Sequence, residues 1–176
     1  MGLSKLLLRM FGWKVKCTVP KYPKSIICVA PHTSNWDFVL GKLAYWSLGR
    51  HAGFLMKDSW FFFPMNFLFK ALGGIPVSRK RKRPLTDILT RKFQECDYLT
   101  IAITPEGTRS KVDEWHTGFL RIAYDAGIPI ILGAIDAPAR TIYLEKTFTP
   151  TGDLEADMKA VREYYKPFKG INPQNS

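Results

Sequence analysis

"SIICVAPHTSNWDF", residues 25 to 38, joins a strand, a stop and a helix start without a gap. The run 25 to 30 is rich in β-branched residues and bounded by Pro23 and Pro31, which reads as a buried strand. Ser34 or Asn35 then offers a cap for a helix over about residues 37 to 49, ended by Gly49. Between the two elements stands His32, with Asp37 five positions on. That pair has two readings. In a turn entering a helix the carboxylate can accept from Nδ1–H and leave Nε2 free to take a proton from a hydroxyl. Alternatively, a surface histidine merely precedes a helix-capping carboxylate.

The same alternation continues outward. Residues 52–57, 73–79, 98–104, 129–135 and 140–148 read as strands. Helices are expected from Pro84 to about Gln94, over 117–126 and over about 153–164, with a short aromatic helix from Asp58 or Ser59 that Pro64 breaks or kinks. The pattern predicts a single α/β domain over residues 1–176, with a mostly parallel central sheet flanked by helices. In such sheets ligand chemistry collects beyond the carboxyl ends of the strands. The loops beginning at Pro31, Ser78 and Pro105 all follow strands directly, so they are expected at one edge.

"PEGTRS", 105 to 110, is the second chemical loop. Gly107 lets a backbone approach a ligand closely, and Arg109 carries a planar fork matched to phosphate. Glu106 is placed to hold Arg109 or a substrate hydroxyl; the plainer alternative is a turn with a salt bridge. The spacing excludes a Walker loop. His32, Asp37, Glu106 and His116 have metal-binding atoms, but no paired-His spacing supports a metal site, and none is expected. His51 and His116 read as surface residues or as supports behind the site.

A formal charge of +11 calls for an anionic partner. The basic run "RKRKR", 79 to 83, stands apart from the aromatic cluster "WFFFPMNFLF", 60 to 69. Nucleic-acid sheets interleave the two, so the separation favours a phospholipid surface and argues against nucleic acid. Residues 1–16, "MGLSKLLLRMFGWKVK", read as an amphipathic helix with Leu3, Leu6, Leu7, Met10 and Phe11 on one face and Lys5 and Arg9 elsewhere. It fits either an interfacial membrane helix or a first core helix. No apolar stretch approaches the roughly 20 residues of a membrane span. Leu6 stands where a myristoylation signal wants Ser or Thr. Three cysteines without a CxxC pair point to a reducing, cytosolic setting.

Taken in order, the blocks "HTSNWD", "GGIPVSR", "PEGTRS" and "GIPIILGAI" resemble the glycerolipid acyltransferase family, over roughly residues 24 to 136. The intervening "KDSWFFFPMNFLFKALGG" resembles its connecting segment. The resemblance implies an O-acyltransferase with no cofactor, moving a fatty acyl group from acyl-CoA or acyl carrier protein to the hydroxyl of lysophosphatidic acid or a similar lyso-lipid. His32, oriented by Asp37, would be the general base, with direct attack and no acyl-enzyme. Arg79 and Arg109 would bind phosphate, Glu106, Gly107 and Thr108 would shape that pocket, and Lys57 would hold phosphate or the oxyanion. Peripheral attachment to the cytoplasmic face of the membrane is expected. The alternatives are an acceptor without phosphate, or a basic membrane- or nucleic-acid-binding module without catalysis.

Overall fold

The computed structural model describes residues 2–78 and 83–175. In chain order the elements are α1 (Leu3–Met10), β1 (Lys14–Cys17), β2 (Lys24–Ala30), α2 (Asn35–Ser47), β3 (Gly53–Lys57), α3 (Met65–Ala71), β4 (Gly74–Val77), α4 (Leu85–Glu95), β5 (Leu99–Ile103), α5 (Gly118–Ala126), β6 (Ile130–Asp136), β7 (Thr141–Phe148) and α6 (Leu154–Tyr165). The strands form one sheet in the order β1-β7-β6-β2-β5-β3-β4. From β6 through β4 neighbouring strands are parallel. β7 runs antiparallel to β6, and β1 runs parallel to β7.

Central β2 shows why the sheet is buried on both faces. Ile26, Cys28 and Ala30 pack with Leu89 and Phe93 of α4, Phe119 and Leu120 of α5, and Val161 of α6. Ile27 and Val29 turn the other way, toward Tyr45 and the residues of α2 and α1. Successive strand residues point to opposite faces, so a continuous apolar run is what a strand between two helical layers needs. The result is the single α/β domain expected, with α4, α5 and α6 on one face and α1 and α2 on the other.

Two boundaries differ from the sequence reading. The helix expected over residues 1–16 ends at Met10. Gly12 takes a left-handed φ of 73°, and the N–H groups of Gly12 and Trp13 close on the carbonyls of Arg9 and Leu8. This is the glycine turn that terminates helices. Residues 14–17 then add an edge strand that the short "KVKC" did not announce. In the aromatic segment Pro64 breaks the element outright: a 3-10 turn occupies Asp58–Trp60, and α3 begins only at Met65.

α1 docks on α2 through Leu8, which is buried with Leu40 and Ala44. Leu3, Leu6, Met10 and Phe11 stay exposed. So do Trp60, Phe62, Phe63, Phe67 and Leu68 of the aromatic segment, Phe63 at 80%. No helix among the described residues is long and apolar enough to cross a membrane.

Candidate active site

β2 delivers His32 to the carboxyl edge of the sheet, and the start of α2 brings Asp37 back to it. Ser34 caps α2, and Asp37, three positions on, closes a capping box by accepting from the Ser34 N–H at 2.7 Å. The same oxygen, Oδ2, accepts from the Thr33 N–H at 2.7 Å and stands 3.2 Å from His32 Nδ1. The cap and the histidine–carboxylate pair are therefore one structure. Nδ1 approaches Oδ2 off the hydrogen-bond direction, and buried Oδ1 has no partner among the described residues. Such loose pairs tighten when a substrate fills the site. With Nδ1 turned to the carboxylate, the basic nitrogen of the neutral ring is Nε2.

β5, next to β2, supplies the second loop. Glu106 is turned inward, and its two oxygens receive the backbone N–H of His32 at 3.0 and 3.2 Å. Burial pushes its carboxyl above the ordinary range, opposed by that N–H bond and by the nearby His32. Glu106 thus fixes the backbone that carries the histidine. Arg109 bonds elsewhere: its Nη1 donates to Asn35 Oδ1 at the first turn of α2. Gly107, at φ 66°, lies against the His116 ring, where a Cβ would come within 2.8 Å of Cδ2 and Nε2. Thr108 is exposed on the same turn.

His32, Asp37, Asn35 and Arg109 line the mouth of a cavity of about 390 Å³. Its interior is apolar, with Ile27 and Val29 of β2, Ala102 of β5, Ile135 of β6 and Leu144 of β7 under Phe38 and Tyr45 of α2. Lys57 is not brought into this cavity. It ends β3, exposed, two strands from β2, or about 10 Å at ordinary strand spacing. Arg79 and most of the basic run lie outside the described residues. Among the described residues no group of three or more His, Cys, Asp or Glu is placed to hold a metal ion.

Sequence reasoning missed three contributors. Asn35 was read only as a possible cap, and its link to Arg109 crosses 74 positions. Asn172 donates through Nδ2 to the Thr33 carbonyl at 2.8 Å, and its own N–H reaches Thr33 Oγ1 at 3.1 Å. Gly170 packs so closely on Thr33 that an added Cβ would come within 2.4 Å of Oγ1. Nothing local in the sequence marks this C-terminal clasp, because its partner is 139 residues away. Gly41, the third, could have been flagged as a glycine inside a helix, where it costs about 1 kcal/mol relative to alanine.

Comparison with known proteins places this arrangement. The chain is 29% identical over 144 residues to a probable 1-acyl-sn-glycerol-3-phosphate acyltransferase of Mycoplasma pneumoniae, covering 73% of this chain and 52% of the relative. It thus spans about half the length of that curated relative. Its fold is similar to the crystal structure of the 1-acyl-sn-glycerophosphate acyltransferase PlsC of Thermotoga maritima, with a TM-score of 0.64 and 23% identity. That match covers 93% of this chain and 74% of the other. The family model for acyltransferases matches residues 14–135, which hold both chemical loops and the strands that carry them. The chain belongs to the acyltransferase family.

Proposed function

We propose that this chain transfers a fatty acyl group from an acyl thioester to the hydroxyl of a lyso-phospholipid of the 1-acylglycerol-3-phosphate type. The observation that carries the reading is the cavity: a histidine–aspartate pair and an arginine at the mouth of a largely apolar pocket. Each part has a use. The pocket takes the acyl chain, since burying apolar surface stabilises by roughly 25 cal/mol per Å². His32 Nε2 takes the proton of the acceptor hydroxyl while its oxygen attacks the thioester carbon, the C–S bond breaks, and the thiolate leaves carrying the electron pair. Asp37 orients the ring and stabilises the imidazolium that forms. Arg109, beside the N-terminal turn of α2, offers a cation and a helix dipole to the acceptor's phosphate.

The acyl donor is acyl-CoA or acyl carrier protein, and no cofactor takes part in the step. We place the enzyme at the cytoplasmic face of a membrane, attached peripherally. Support comes from the exposed apolar residues of α1 and of the aromatic segment, combined with a charge of +11.

Thiol release tests the reading directly. Wild-type protein should liberate thiol from palmitoyl-CoA or palmitoyl carrier protein only when a lyso-acceptor is present. Arg109→Ala should lose about tenfold or more of kcat/KM with the phosphorylated acceptor and little with its unphosphorylated counterpart. Equal losses on both would remove the phosphate role. No thiol released with any acceptor would remove the reaction.

A further inference from the structure

Arg109 sits on an exposed turn. Gly107, Thr108 and Ser110 beside it are exposed too. The Gly107 N–H bonds to the Thr104 carbonyl at 3.2 Å, and the Ser110 N–H to Thr108 Oγ1 at 3.4 Å. These contacts shape the backbone and leave the arginine side chain unrestrained. A long side chain on such a turn spreads over many rotamers until something grips its end. Asn35 supplies the grip, its Oδ1 accepting from Arg109 Nη1 across 74 positions. A guanidinium only donates, so the amide has to present its oxygen.

The anchor is itself fixed. Asn35 is the first residue of α2. On one side of it Ser34 Oγ accepts from the Trp36 N–H at 3.2 Å, and on the other Asp37 Oδ2 accepts from the Ser34 N–H at 2.7 Å. That capping box holds the backbone under the amide. Asn35 thereby ties the loop after β5 to the turn that carries His32, and all three residues line the cavity. The anchor is also neutral. Among the described residues no carboxylate pairs with Arg109. Glu106, three positions before it, is turned to the His32 N–H instead. A carboxylate in place of Asn35 would hold the fork as well and cancel its charge. The amide oxygen occupies one nitrogen and leaves the rest of the fork, still cationic, for an anion.

We propose that Asn35 is a positioning residue for the acceptor's headgroup: it orders Arg109 at the cavity mouth without neutralising it, and so sets the preference for a phosphorylated acceptor. This rests on Arg109 binding the acceptor's phosphate. The gain is pre-organisation, since the rotamer freedom of the arginine is given up on folding and not again when the acceptor binds. A headgroup contact is made alike in the ground state and the transition state, so it acts on KM more than on kcat. The contact is exposed, so it contributes little to the stability of the fold.

The test compares a short-chain 1-acylglycerol-3-phosphate with the matching monoacylglycerol as acceptors, with palmitoyl-CoA as donor. The proteins are wild type, Asn35→Ala, Asn35→Asp, Arg109→Ala and the Asn35→Ala/Arg109→Ala double variant. Binding of the phosphorylated acceptor is measured in parallel by isothermal titration calorimetry, so that the site is read without turnover. Asn35→Ala should raise KM for the phosphorylated acceptor about three- to tenfold relative to its counterpart, with the melting temperature of wild type. Asn35→Asp should raise that ratio further, about tenfold or more, because it cancels the charge it holds. It adds an acid to the first turn of a helix, which favours folding, and carries the test if the alanine variant does not fold. In the Arg109→Ala background, Asn35→Ala should change the ratio by less than about twofold, since it acts through the arginine. A loss as large there as in wild type overturns the positioning role. An Asn35→Asp protein with the wild-type preference overturns it too. Unchanged Asn35 variants beside a selective loss in Arg109→Ala overturn Asn35 and leave the phosphate reading standing. No selectivity in Arg109→Ala, in turnover or in binding, overturns both. The predicted pattern in calorimetry without any thioester turnover upholds Asn35 and removes the proposed reaction.

Discussion

Asp37 Oδ2 accepts from the N–H groups of Thr33 and Ser34 while standing 3.2 Å from His32 Nδ1, so one oxygen serves both the helix start and the histidine. Both readings of that aspartate were available in the sequence; the structure shows the cap, with the histidine ring beside the same carboxylate. Glu106 was legible as a site residue but not in its task. Nothing in "PEGTRS" tells that the carboxylate reaches 74 positions back to the His32 N–H. Its titration has a consequence for stability. Burial raises the folded pKa above the unfolded value, so between the two the folded state holds more protons and stability falls as pH rises. Glu106→Gln keeps an acceptor for His32 and removes the charge. The variant should gain thermal stability over wild type at pH 7, about 2–4 °C for each kcal/mol the charge costs, with the gain vanishing below the unfolded carboxyl range. A gain equal at pH 3.5 and pH 7 in differential scanning calorimetry would contradict this, as would none at pH 7.

At the scale of elements, the strands and helices that carry chemistry were readable because each is a continuous apolar run or a periodic face. The misses have physical causes. β1 is four residues long, half-exposed at the sheet edge, so its pattern "KVKC" carries no core signal. Strand direction is not written in apolar patterns. Only the short link 137–140 between β6 and β7 implied the antiparallel pair, because a parallel crossover needs a dozen residues or more. The clasp of 170–172 on Thr33 was invisible for want of any local marker. It makes a prediction of its own. Asn172→Ala strips the buried Thr33 carbonyl of its side-chain donor, a loss of about 1–3 kcal/mol for an unsatisfied buried group. The variant should melt several degrees lower and lose activity through kcat more than KM, since the loop it loosens carries His32, the proposed base. Unchanged melting and unchanged kcat would show that the clasp does nothing for the loop.

Over the whole molecule, a cationic chain, an apolar pocket and two exposed apolar patches suit the amphiphilic substrate proposed above. Lys57 shows what motif spacing leaves out here. The edge was foreseen, but strand order puts that lysine two strands from the histidine. The proposed membrane attachment rests on exposed apolar surface: Leu3, Leu6 and Met10 face away from the α2 contact made by Leu8. Replacing those three with Ser should release the protein from vesicles containing anionic phospholipid in a flotation assay, and wild-type binding should weaken as salt rises. Full retention of the triple variant would assign attachment elsewhere. The proposed reaction depends most on one side chain. In steady-state turnover of an acyl thioester with a lyso-phospholipid acceptor, His32→Ala should lower kcat by about 10²–10⁴-fold while circular dichroism and the melting temperature stay those of wild type. A folded His32→Ala protein that forms the acylated product at the wild-type rate would contradict the mechanism.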